Sequence, residues 1–182
     1  MRDVTEILAV DDRAVMATDS EYAEARKRAI TYLIKYRRNR GTSGRIAHHL
    51  DKFDFFEETI EQVVRDLAAD GYYSDIDCAR SVLKERRGRK AEGRRALQSR
   101  MQRLGIDQNA IETAFAESSV GDEQRVEEFF VYKRQRDLDS LKTHGIPDEN
   151  YYRDRNKLIQ AAERKGFRSD IAIMVLERLL TE

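Results

Sequence analysis

Tryptophan is absent from these 182 residues, proline and cysteine occur once each, and glycine only nine times. Gly and Pro punctuate the turns between strands, so a chain with so few of them lacks the breaks a β-sandwich or barrel needs. A single thiol, Cys78, cannot close an intramolecular disulfide, and the expectation that follows is a reducing compartment. No apolar run approaches the roughly 20 residues that span a bilayer. The stretch from Met1 to Ser20 holds five acids and no secretory apolar segment. The chain reads as cytoplasmic and free of the membrane.

What is present in quantity is charge, at 37% of residues, and Leu, Ala, Glu and Arg, all good helix formers. Forty per cent of the residues are apolar and fall on regular faces of period 3.6, which predicts an all-α chain. A residue pair flanked by the same pattern occurs three times, at Asp54-Phe55, Gly105-Ile106 and Gly166-Phe167, separated by 51 and 61 residues. Eight residues before each pair stands Ile46, Leu97 or Leu158, and four before it Leu50, Met101 or Ala162. Five residues after its second member comes Ile60, Ile111 or Ala172. A helix, a sharp break and a second helix are therefore written three times, the mark of a repeat protein. One such unit of about 50 residues would be marginal alone, so stability is expected from stacking.

These spacings predict an elongated array of three tandem three-helix repeats behind an acidic lead. The lead covers residues 1–19, and the repeats cover 20–70, 71–120 and 121–182. The first helix is predicted from about Ser20 through Ala25, Ala29 and Leu33 to Arg37, Arg38 and Arg40, with Asp54 capping the third helix. Gly71-Tyr72-Tyr73-Ser74-Asp75 opens the second repeat, with Ser74 and Asp77 at the spacing of a capping box. One tyrosine of this box is expected to be buried at the seam between repeats. The next helix is expected to end at Gly88, and the one after to run from Ala91 to Leu104. The ten extra residues of the third repeat are expected to lengthen its first helix, which carries Val126, Phe129 and Phe130, and the loop behind it.

Net neutrality hides segregation. Arg80 to Arg103 holds ten bases against Glu85 and Glu92, and Arg26 to Lys52 holds nine against Asp51, whereas Asp54 to Asp77 holds eight acids against Arg65. A basic face beside an acidic one suits a protein that meets a polyanion on one side and a protein on the other. A charge run on a repeat helix is also commonly no more than a solvated face.

Particular motifs extend this reading. The segments Ala25-x-x-x-Ala29-x-x-x-Leu33-x-x-x-Arg37, Leu67-x-x-x-Gly71-Tyr72-Tyr73-Ser74-Asp75-x-x-x-Ala79-Arg80, Arg87-Gly88-Arg89, Leu104-Gly105-Ile106 and Lys165-Gly166-Phe167 resemble those of the RecX family, bacterial regulators of the RecA recombinase. The resemblance covers the chain from about Glu21 onward, and Asp54 departs from the family's usual Gly. It implies tandem three-helix repeats and a monomeric binding protein with no cofactor. It also implies a partner, the RecA filament on single-stranded DNA, and an inhibitory role that restrains filament growth, strand exchange and the filament's ATPase and coprotease activities. The anionic contact is assigned to Arg37, Arg38, Arg40, Arg86, Arg87, Arg89, Lys90, Arg94 and Arg95, because Arg meets phosphate or carboxylate with two donors at once. A helical-repeat protein that binds DNA non-specifically through these bases is the alternative.

Enzyme chemistry finds little support. His48 and His49 are consecutive, so on a helix they point about 100° apart and cannot share a metal. Cys78 lacks an evident base, and Arg86-Arg87-Gly88-Arg89 lacks the phosphate-cradling pattern of a P-loop. No catalytic or metal residue is assigned, and replacing Arg86, Arg87, Arg89 and Lys90 together by Ala is expected to leave stability nearly unchanged.

Two outcomes follow. Circular dichroism should show more than about half helix, well above the one-third typical of globular proteins. Binding to single-stranded DNA should be weak, indifferent to base sequence and steeply reduced by salt, as measured by fluorescence anisotropy at rising ionic strength.

Overall fold

The structure is a computed structural model that describes residues 4–35, 41–144 and 147–181, with side chains from residue 19 onward. Ten α-helices carry it: α1 (Val4–Lys35), α2 (Ser43–Asp51), α3 (Glu57–Ala69), α4 (Asp75–Glu85), α5 (Arg94–Arg103), α6 (Gln108–Glu117), α7 (Asp122–Glu128), α8 (Gln135–Lys142), α9 (Glu149–Glu163) and α10 (Ser169–Thr181). A 3-10 turn (Gly88–Lys90) and a π-helical turn (Phe129–Lys133) complete the described residues, which contain no strand. The all-α expectation holds, and the element order is consistent with three-helix repeats.

Several boundaries differ from the sequence reading. Helix α1 begins at Val4 rather than near Ser20, because no Gly or Pro interrupts the lead. Arg37, Arg38 and Arg40 lie outside the described residues. Asp54 is no N-cap: Phe56 caps α3, while Asp54 takes φ 55°, the left-handed conformation that usually calls for Gly. Helix α4 stops at Glu85 and Gly88 opens the 3-10 turn, and α5 starts at Arg94 rather than Ala91. The long helix expected around Val126, Phe129 and Phe130 is interrupted by the π-helical turn, and α8 follows it.

The chain divides into two compact units, Met1–Cys78 with Leu104–Asp107, and Ala79–Arg103 with Gln108–Glu182. In the first, Ala25, Ala29 and Leu33 of α1 pack on Ile46 and Leu50 of α2 and on Ile60, Val63 and Leu67 of α3. Each set follows helical spacing, and the two alanines are fully buried, so their small side chains let the helices approach closely. In the second unit the π-helical turn points the consecutive Phe129 and Phe130 both inward, against Phe167, Leu158 and Leu176. The Phe129 ring lies 5.9 Å from that of Phe167, in the range of favourable aromatic pairs.

All three recurring junctions turn left-handed: Asp54 at φ 55°, Gly105 at 71° and Gly166 at 82°. At the last, the Gly166 N–H donates to the Glu163 carbonyl (2.8 Å) and the Phe167 N–H to that of Ala162 (3.2 Å), the bond pair of a Schellman C-cap. Two of these turns also receive the start of an earlier helix. In the first unit the Gly44 N–H donates to the Gly105 carbonyl (2.9 Å), and Thr42 Oγ1 donates to that of Leu104 (2.7 Å). In the second unit the Gly93 N–H donates to the Lys165 carbonyl (2.9 Å).

An Asp completes each junction. Asp75, the first residue of α4, accepts from the Ser43 N–H (3.0 Å), the Ser43 hydroxyl (2.5 Å) and the Asp107 N–H (2.7 Å). Asp122, the first residue of α7, accepts from the Arg94 N–H (2.9 Å). Donors left orphaned at helix starts are thereby satisfied away from their own helices.

The approach at Gly93 is so close that an added Cβ would sit 2.3 Å from the Gly166 oxygen. Gly93→Ala should therefore cost about 1–3 kcal/mol and lower Tm by several degrees. Gly121→Ala, with no atom within 4 Å of the added Cβ, should change Tm little. Equal melting temperatures for the two variants would contradict this packing.

Candidate functional site

The predicted basic residues of the second unit occupy the end of α4, the 3-10 turn and the first turn of α5. They are not equivalent. Arg87 Nε lies 3.0 and 2.9 Å from the two carboxylate oxygens of Glu128, and its Nη2 also donates to Glu128. Glu128 also accepts from the Gly88 N–H at 2.7 Å, so it holds α4 and the 3-10 turn against α7. Arg86 is half-buried, 3.9 Å from Glu92. Arg89, Lys90, Arg94 and Arg95 are exposed. Among the described residues, none of these four has an ion-pair partner; Arg94 lies over the Phe115 ring at 4.3 Å. The positive end of α5 is already met by the Asp122 carboxylate on the Arg94 N–H, so the basic character of this surface rests on the side chains. An exposed cationic turn of this kind can draw in and hold an extended anion.

The acids counted in sequence as opponents of the basic run are its organisers. Glu92 is only 7% exposed and takes Arg100 through two bonds, Nε at 2.9 Å and Nη2 at 2.7 Å. Burial works to raise its pKa, but Arg100, Arg86 and Lys165 outweigh burial and hold it below the usual carboxylate range. Arg87, with help from the Gly88 N–H and Arg125, likewise holds Glu128 low against the effect of burial. Arg80 is bound by Glu117, at 3.0 and 2.8 Å. The expectation that Arg86, Arg87, Arg89 and Lys90 can be removed together without cost to stability is corrected here, because Arg87 is part of the scaffold.

Sequence reading missed Arg125, which is 2% exposed and donates from Nη1 to the carbonyls of Arg86 (3.0 Å) and Leu83 (3.3 Å) at the end of α4. Burial and the nearby Arg87 lower its pKa, although a guanidinium stays charged at any ordinary pH. No signal in Asp122-Glu123-Gln124-Arg125 sets it apart from a solvated helix start.

Other candidates resolve as packing. Tyr73 is half-buried on the first unit's core and donates its hydroxyl to the Val64 carbonyl (3.0 Å), and burial, Asp75 and Asp107 push its pKa up to about 12. Tyr72 is 48% exposed. The His49 ring stacks on Tyr32 at 4.4 Å, and burial with Lys52 and Arg28 lowers its pKa. The Cys78 thiol faces the Gly41 carbonyl at 3.8 Å, with its pKa raised by burial, Asp75 and Asp77, a poor setting for a nucleophile.

Arg87→Ala should cost about 2 kcal/mol, the scale of hydrogen bonds to a charged group, whereas Arg89→Ala should cost under about 0.5 kcal/mol. Because the folded Glu128 pKa is depressed, the pair's contribution is present above pH ~4.5 and is lost as pH falls through the folded value. The stability gap between Arg87→Ala and the parent should therefore narrow in acid. Urea denaturation at pH 7 and pH 3.5 reads this directly, and a gap independent of pH would contradict it.

Among known proteins, no family model matches the chain. It is 27% identical over 173 residues to the regulatory protein RecX of Geobacillus thermodenitrificans, covering 93% of this chain and 60% of that one. It is 28% identical over 161 residues to the regulatory protein RecX of Mycobacterium ulcerans, covering 88% of each. The crystal structure of RecX from Lactobacillus salivarius superposes with a TM-score of 0.70 at 21% identity, over 90% of this chain and 99% of that one. A second RecX crystal structure gives 0.63 at 20% identity, over 92% and 77%. These structures share its fold, and the sequence likeness to proteins named regulatory protein RecX runs along most of its length.

Proposed function

We propose that this protein inhibits RecA: it binds the RecA–single-stranded DNA filament and restrains filament growth, strand exchange and the ATPase and coprotease activities. The observation that carries the reading is the likeness along most of the chain to proteins named regulatory protein RecX. The geometry is compatible with it. Arg89, Lys90, Arg94 and Arg95 form a cationic surface without internal ion-pair partners among the described residues, as contact with an anionic filament requires. In this reading Arg86 and Arg87 shape the surface, and Arg37, Arg38 and Arg40 add basic charge from the first repeat. The repeats 20–70, 71–120 and 121–182 act as one binding array. The protein works by binding rather than catalysis, as a monomer in the cytoplasm, and its direct hold on single-stranded DNA is weak and non-specific.

The test is hydrolysis of ATP by the cognate recombinase on single-stranded DNA, with this protein added at concentrations too low to coat the strand. The parent should slow hydrolysis. Replacing Arg89, Lys90, Arg94 and Arg95 by Ala should weaken inhibition tenfold or more, a loss of about 1.4 kcal/mol, with little change in Tm. Replacing the exposed Glu57 and Glu61 by Ala should have a smaller effect. Inhibition that appears only at strand-coating concentrations would instead favour a non-specific DNA-binding protein.

A further inference from the structure

The second unit contains an open cavity of about 350 Å³, bounded by α4, the end of α6, the loop Ser118–Val120 and α7. The filament reading makes no use of it. Arg125 lines this cavity, buried to 2% exposure. Its Nη1 is engaged by the α4 carbonyls, while its Nε and Nη2 have no hydrogen bond among the described residues, and no carboxylate pairs with it directly. The carboxylates of Asp122 and Glu128 favour its charge from nearby, but burial and the Arg87 charge outweigh them, so a further anion would be favourable there.

The other walls repeat the theme. Arg80 and Lys84, four residues apart on one face of α4, and Arg87, at the start of the 3-10 turn, line the same cavity. Arg80 is held by Glu117 and Arg87 by Glu128, whereas Lys84 is exposed with no ion-pair partner among the described residues. Across from them the Ser118 hydroxyl is taken by the Val120 carbonyl, and Ser119 lines the opening with its hydroxyl unengaged. Leu83, Ala114 and Val120 give the cavity apolar sides. Four bases stand against Glu117 inside, Glu128 behind Arg87 and Asp122 near Arg125, so the site keeps an excess of one positive charge.

We propose that this cavity is a phosphate-binding pocket, with Arg125 at its floor and Lys84 and Ser119 at its mouth. Donors converge from α7, α4 and the loop. A tetrahedral phosphate offers an oxygen to each, where a planar carboxylate offers two in one plane. The volume exceeds that of a bare phosphate and leaves room for an attached sugar against the apolar sides, so the phosphate can belong to a free nucleotide or to a nucleic-acid strand. Phosphate binding here does not depend on whether the basic turn meets a filament.

Amide and arginine Nε resonances of the ¹⁵N-labelled full chain, titrated with inorganic phosphate, test it. Saturable shifts are expected at Ser119, Val120 and Arg125. Lys84→Glu, at an exposed position that leaves the fold intact, should weaken binding at least fivefold, and Arg125→Lys should weaken it while keeping the charge. Titration with thymidine monophosphate and with a five-residue oligothymidylate separates the sources. Tighter binding of the oligomer points to a strand, and equal binding to a free nucleotide. Shifts that never saturate, shifts unchanged by Lys84→Glu, or shifts produced by a capped Asp-Glu peptide and not by phosphate would overturn the proposal.

Discussion

The structure depends on a backbone contact between the start of one helix and a left-handed turn far along the chain. The turns at Gly105 and Gly166 expose carbonyls that α2 and α5 use to satisfy their first N–H groups. Asp75 and Asp122 accept a second N–H beside each. A helix start normally leaves such donors to water or to its own cap. Here they are given to a turn far along the chain within the same compact unit, so neither element is complete alone.

This constraint explains residues that otherwise look unrelated. Glycine recurs where backbones meet because any side chain would collide, and at the turns because φ is positive. The three junctions are alike although their residues are not: Asp54 does with some strain what Gly105 and Gly166 do freely. The same economy shapes the charged surface. Glu92, Glu117 and Glu128 each bind an arginine and fix part of the basic stretch, which leaves a smaller set of bases facing solvent.

Much of the fold was legible in the sequence because helical period and glycine breaks are local signals. The three junctions, the buried faces and the absence of sheet among the described residues follow from Ile46, Leu97, Leu158 and their neighbours. Helix limits were less legible: α5 starts late because Gly93 is held on Lys165, and no local pattern announces a partner 72 residues away. The candidate site was legible only as a charge count. Which arginines are scaffold and which are surface depends on where Glu92 and Glu128 fall in space, and the burial of Arg125 under α4 leaves no trace in its own segment.

Native-state hydrogen exchange of the Gly44 and Gly93 amides tests the central constraint most directly. Each lies at the start of a helix, where amides ordinarily exchange fast. If they are held on the Gly105 and Lys165 carbonyls, they should exchange as slowly as the helix cores, through opening of the whole unit. Exchange at the rate of frayed, water-bonded helix ends would contradict the account.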